Sequence, residues 1–166
     1  MKLKLILFYI AIILTSSIYA NSTSEIKVTD WEHIEAKIKK LPTIKYPGMP
    51  RSKEDWLIKA NNYKATIRAG EDGKSIIISN GLVARVFRLY PNLATIDIVN
   101  QMTSESMLRA VSSEGMLVID GKEWNIGGLN GQPERGYLSL DWLEKMTTIP
   151  NSFIVENFET TDTIRT

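Results

Sequence analysis

The sequence predicts a mainly β protein, an antiparallel β-sandwich preceded by a signal peptide and a short amphipathic helix. Three observations predict it. From Ser75 onward, short β-branched and apolar runs recur with a turn signal roughly every ten residues, the spacing of small sandwiches. Asn80-Gly81 and Asp120-Gly121 join those runs as hairpin dipeptides, with no helical crossovers between them. The N-terminus passes from a charged start through an apolar run to small residues, the order of an export signal.

In that N-terminus Lys2 and Lys4 supply the charge, and Leu5 to Thr15 the apolar run. The run is shorter than a membrane span requires. Ala20 is the expected cleavage point, although Ile18 is larger than the ideal residue two positions before it. Residues 1–20 are therefore read as a signal peptide, which places the chain outside the cytoplasm with no membrane attachment after cleavage. The expected mature terminus carries the sequon Asn21-Ser22-Thr23, a candidate glycosylation site at Asn21.

Residues 21–74 read as a polar N-terminus, a helix and a linker. The helix candidate is TDWEHIEAKIKKLP. Thr29 and Glu32 have capping-box spacing, and Trp31, Ile34, Ile38 and Leu41 form one apolar stripe. Lys37, Lys39 and Lys40 suit the negative end of the helix dipole, and Pro42 stops it. Pro47, Gly48 and Pro50 mark a meandering segment. YKATI alternates as a strand does, and Gly70-Glu71-Asp72-Gly73 is a turn.

Residues 75–166 read as the sandwich domain. Its strand candidates are Ser75–Ser79, Leu82–Leu89, Ala94–Val99, Met107–Val111, Met116–Ile119, Lys122–Ile126 and Ser152–Phe158. In the second, Leu82, Ala84, Val86 and Arg88 share a face; in the third, Thr95, Asp97 and Val99 oppose Ala94, Ile96 and Ile98. Leu140–Met146 suits one or two helical turns capped by Ser139. The last residues, TTDTIRT, do not resemble a finished domain end, so a truncated domain from a longer protein is expected.

Composition narrows the function classes. The 166 residues suffice for one domain, and 43% hydrophobic with 23% charged is ordinary for a packed core. The net charge of +1 becomes about −1 once Lys2 and Lys4 are removed, leaving 18 basic against 19 acidic residues. That balance lacks the basic footprint of a nucleic-acid binder. With no cysteine, thiol catalysis, disulfides and Cys-based zinc sites are excluded. His33 is the sole histidine, sits between Glu32 and Glu35, and is expected to face solvent. No H-E-x-x-H motif or nucleophile elbow accompanies it. The residues imply no metal, no cofactor and no recognised catalytic machinery. Asp97, Glu114, Asp120, Glu134 and Asp141 are available as a carboxylate pair, but sequence spacing does not bring any two together.

The densest motif is IGGLNGQPERG, Ile126 to Gly136. It lacks the lysine of a P-loop and the G-x-G-x-x-G order of a dinucleotide site. It reads either as a connection whose glycines take positive φ or as a ligand-contacting loop. In the second case Gln132, Glu134 and Arg135 are the hydrogen-bonding candidates for a sugar, and Trp124 and Tyr137 the stacking ones.

The segments ISNGLVARVFRL, NLATIDIVNQMTSESMLRAV and VIDGKEWNIGGLNGQPERGYL resemble the N-terminal β-domain of secreted glycoside hydrolases related to the α-galactosidase group. The resemblance covers roughly residues 75–160. It implies a supersandwich that precedes a (β/α)8 catalytic barrel, and a carbohydrate or that barrel as partner. The family's catalytic carboxylates lie on the barrel, and no βα run is present here, so none is carried over. The expected function is a non-catalytic β-domain of a secreted carbohydrate-active enzyme. The alternative is a free-standing secreted β-sandwich that binds a glycan or a protein.

Overall fold

In the computed structural model, the structure describes residues 28–49, 55–58 and 63–161. The expected signal peptide, the Asn21 sequon and the final residues 162–166 lie outside them. The described chain is mainly β, in antiparallel-rich open sheets.

Helix α1 spans Val28–Ile38. Its apolar stripe is real: Ile34 and Ile38 are buried and Trp31 is half-buried, while His33 is exposed. The chain then makes the short strand β1 (Thr43–Ile44), inside the segment expected to be a linker. It pairs parallel with β2 (Thr66–Gly70), which ends three residues beyond the expected alternating run. A two-residue strand carries too little periodicity to show in sequence.

Strands β3 (Ser75–Ser79), β4 (Val83–Arg88), β5 (Ala94–Asn100) and β6 (Glu105–Ser106) complete a six-stranded sheet in the order β1 to β6. All pairs after β1–β2 are antiparallel. The β2–β3 and β3–β4 turns are each closed by a side chain of their own. Asp72 Oδ1 accepts from the Lys74 and Ser75 amides at 3.0 and 2.9 Å. Asn80 Oδ1 accepts from the Leu82 and Val83 amides, both at 3.0 Å. These are Asx turns, the reason such residues punctuate strands.

One expectation fails within β5. Strict alternation would expose every second residue, but Ala94 through Asp97 are all buried. The register explains it. Val86 pairs with Asp97, but the next residue, Phe87, pairs with Thr95, so Ile96 is the extra residue of a β-bulge. The bulge lets Ile96 join the core while Asp97 meets Tyr46, which packs on that same core.

Both faces of the sheet are covered. On one, Ile77, Ala84, Val86, Ala94, Ile96 and Val99 pack with Met49, Val111, Leu129, Leu143 and Met146. On the other, Ala69, Ile76 and Leu89 pack with Ile34 and Ile38 of α1, and Val155 and Phe158 border them. The consecutive pair Ile76 and Ile77 thus serves opposite faces, as a pleated strand demands.

Beyond the main sheet, β7 (Gly115–Ile119) and β8 (Lys122–Ile126) form an antiparallel hairpin. Strand β11 (Ser152–Phe153) adds parallel to β8, giving the order β11-β8-β7. Strands β9 (Leu129–Asn130) and β10 (Thr147–Thr148) pair antiparallel on either side of a 3₁₀ helix, η1 (Leu140–Lys145). Ser139 occupies the cap position of η1 without a side-chain capping bond.

Two strand expectations shrink. Met107–Val111 is not a strand, because the Val111 amide bonds the Gln132 side chain instead of a ladder partner. Ser152–Phe158 reduces to Ser152–Phe153, because the Val155 amide goes to Asn92 Oδ1 at 3.1 Å. In both, a polar side chain outcompetes a strand for the backbone.

Candidate interaction surface on the hairpin

The β7–β8 hairpin turns at Asp120-Gly121, both with positive φ (51° and 74°). This is the backbone that a two-residue hairpin loop demands. Asp120 is thereby a turn residue. Alternation then sorts the side chains. Met116 and Val118 share a face with Asn125 and Glu123, and Leu117 and Ile119 share the other with Trp124 and Lys122. A strand half-buried against a core hides one of these sets. Here Met116 is 59% exposed, Leu117 45%, Val118 64% and Ile119 45%. Four consecutive large apolar side chains on an edge strand meet solvent on both faces, which is the pattern of an interaction surface.

The Leu117 face continues across the small sheet. The Trp124 ring lies 5.7 Å from that of Phe153, and Lys122 Nζ sits 4.2 Å above the indole. Phe153 is itself exposed. Leu117, Ile119, Trp124 and Phe153 therefore form one apolar face with a lysine at its rim.

The base of the hairpin is held tightly, and IGGLNGQPERG does the holding. The Gly127 amide donates to Phe153 O at 3.2 Å, and the Gly128 amide to Leu93 O at 2.6 Å. A Cβ at Gly127 would come within 2.2 Å of Leu93 O, and one at Gly128 within 2.8 Å of Ser113 Cα. Both residues also have positive φ. The glycine pair is a close-packed joint between hairpin and sheet. Asn92, fully buried, seconds it: its Nδ2 donates to Ser152 Oγ and Phe153 O at 3.3 and 3.0 Å.

Downstream, Gln132 is consumed internally. Its Oε1 accepts from the Val111 amide at 2.9 Å. Its Nε2 donates to the carbonyls of Arg109, Tyr137 and Glu134. The same amide draws the backbones of Glu134 and Tyr137 together, so four of the five proposed sugar-contact residues, Gln132, Glu134, Arg135 and Tyr137, lie in one loop. Of these, the side chains of Glu134, Arg135 and Tyr137 are exposed, and Gln132 has spent its amide on the backbone. Trp124 lies on β8 in the separate three-stranded sheet. Tyr137, 54% exposed, places its ring 5.6 Å from that of Trp142, a residue outside the sequence-based set.

The titratable groups knit the fold. Arg88, 2% exposed, donates to Asp72 Oδ2 at 2.8 Å, Glu144 Oε1 at 2.5 Å and Tyr90 O at 2.8 Å. Lys74 reaches Glu144 Oε2 at 2.6 Å, and its bond, followed by that of Arg88, holds the Glu144 carboxyl below its ordinary range. The Tyr46 hydroxyl donates to Asp97 Oδ2 at 2.8 Å; burial first, then this carboxylate, push the phenol upward. Ser106 donates to the other Asp97 oxygen at 2.5 Å. Glu114 is tied to Arg85 and to the Thr95 amide. Of the five carboxylates considered from sequence, Asp97 and Glu114 thus have structural partners, while Glu134 and Asp141 are exposed. Among the described residues, no three His, Asp or Glu side chains gather as a metal site requires. Nor is any described helix long and apolar enough to cross a membrane.

The fold and this surface define a mainly β protein whose most unusual exposed feature is an apolar hairpin. No protein-family model, curated protein or solved structure matches the chain.

Proposed function

We propose that the chain is a non-catalytic, sandwich-type β-domain of a secreted carbohydrate-active enzyme. It works by docking the Leu117 face of the hairpin onto a folded catalytic barrel. The observation that carries this reading is the exposure of Leu117, Ile119 and Phe153 on one continuous face whose base is rigidly anchored. A face that served only the chain's own core would be covered by it. The resemblance of residues 75–160 to the β-domain that precedes a barrel supports that partner, and the export signal expected at residues 1–20 supports the location.

The chain purified after export is expected to begin at Asn21 and to release no product from aryl glycosides. It should bind a hydrophobic dye, and Leu117→Ser with Phe153→Ser should remove most of that binding while leaving the circular dichroism spectrum intact. Reproducible glycoside turnover abolished by replacing Glu134 or Asp141 would refute the non-catalytic reading. Dye binding unchanged in the double variant would refute the docking face.

A second reading, a free-standing glycan-binding β-domain, is favoured by one feature. The Tyr137–Trp142 ring pair, Tyr137 exposed and Trp142 half-buried, with Glu134 and Arg135 close by in sequence, has the makeup of a sugar-stacking platform. Retention on a glycan array, lost in Tyr137→Ala, is the outcome that would favour it.

A further inference from the structure

The open edge of β7, as distinct from the face used above, carries its own information. In a two-residue hairpin the residues flanking the turn, Ile119 and Lys122, form a hydrogen-bonded pair. Bonded and non-bonded pairs then alternate down the ladder. Met116 and Val118 fall at non-bonded pairs, so their amide and carbonyl groups point away from β8, toward the open side of the sheet. Strand β7 is the terminal strand of its sheet, and its side chains are exposed along its length from Met116 to Ile119. An apolar edge of this kind is a template for another strand.

We infer that β7 pairs antiparallel with β7 of a second copy of this chain, around a twofold axis at Leu117. A strand can pair with itself only if the residues that bond across the axis both point outward. Centring on Leu117 sets Met116 opposite Val118 of the second copy and Val118 opposite its Met116, the two outward-pointing positions. Four main-chain hydrogen bonds form. Leu117 meets its own counterpart, and Gly115 meets Ile119, small against large. One register therefore satisfies the backbone and gives each exposed apolar side chain of β7 a cross-strand neighbour. At the rim, Asp120 falls opposite Glu114. That like-charge contact is offset by Arg85, which is ion-paired with Glu114 and is itself half exposed. The result is a continuous six-stranded sheet, β11-β8-β7 followed by its symmetry mate, with two copies of the Leu117 face side by side. This inference concerns the edge and stands apart from the docking reading of the face.

The absence of native cysteine makes the test clean. Across the axis, Leu117 faces its counterpart as a non-hydrogen-bonded pair, with Cα atoms about 4.5 Å apart, within disulfide reach. Ile119 lies about four residues out of register with its own counterpart, well beyond that reach. Light scattering of the wild-type chain should give twice the monomer mass, and Val118→Pro, which deletes an edge amide, should shift it to monomer. With oxidised glutathione as oxidant, Leu117→Cys should link into covalent dimers at least tenfold faster than Ile119→Cys. A monomeric wild type overturns the inference. So does a dimer in which Ile119→Cys links as fast as Leu117→Cys, since the two copies would then meet in another register or through another surface. If Val118→Pro fails to fold, the two cysteine variants decide alone.

Discussion

The main sheet and the hairpin are built from similar strands and live in opposite environments. SIIIS of β3 and MLVI of β7 are both short, β-branched or apolar, and bounded by turn residues. In β3 the neighbours decide the outcome: Ile76 packs under α1, and Ile77 under η1 and the β9–β10 pair. In β7 the same kind of residues are left in solvent on both faces. Hydrophobicity along a strand therefore states that something covers it, but not whether the cover is the chain itself. The hairpin is also fixed rigidly to the sheet that is covered, through Gly127, Gly128 and Asn92. A projecting apolar strand on a stiff base is suited to presenting a surface to a partner.

The largest separation between the regions should come from core truncation. Ile77→Ala removes a fully buried side chain and is expected to cost about 2–5 kcal/mol by urea unfolding. Gly128→Ala should cost nearly as much at the joint. The left-handed backbone contributes about 1–2 kcal/mol and the crowding against Ser113 about 1–3 kcal/mol. Because the joint is local, hydrogen exchange in that variant should rise first in β8 and β11, and last in β3 and β4.

Asn92→Ala tests the same joint more gently. It strands the Val155 amide and is expected to cost about 1–3 kcal/mol, read as loss of amide protection at Val155 before any global change.

Acid should act on the body and spare the hairpin. Glu144 has a depressed folded-state value, so its protonation favours the unfolded chain. Its contribution to stability is present above the ordinary glutamate range and is lost as the pH falls through the depressed value. A Glu144→Gln variant should show a flatter decline in melting temperature over that acidic window and leave the Met116 and Val118 amide signals unchanged. The smallest effect is expected at the hairpin tip itself, where Val118→Ala should alter monomer stability by no more than about 0.5 kcal/mol.

The sequence made the body legible because its signals are local. Asn80-Gly81 and Asp120-Gly121 lie at turns, the stripe Ile34 and Ile38 is buried, and the faces of β4 alternate as read. Where long-range partners decide, it was silent. The bulge at Ile96 depends on how β4 registers with β5, and no residue type announces it. The short β1 depends on its pairing with β2, and the truncated β11 and the failed strand at Met107–Val111 depend on side chains, Asn92 and Gln132, distant in sequence. The glycine-rich motif illustrates both limits. Its glycines were legible as special backbone, but the atoms that forbid a Cβ there belong to Leu93 and Ser113. Gln132 looked like a free hydrogen-bonding group until its four backbone partners were visible. The exposed strand β7 read as one more strand of the sandwich, because exposure is a property of what lies opposite.

The most direct measurement is the unfolding free energy of the Leu117→Ser, Val118→Ser double variant, compared with wild type at a concentration where both are monomeric. If the apolar strand serves association and not the chain's own core, the two should agree within about 0.5–1 kcal/mol, while self-association is lost. A loss of more than about 3 kcal/mol, the scale of buried truncations, would show that β7 belongs to the core of the monomer and would contradict its assignment as an interaction surface.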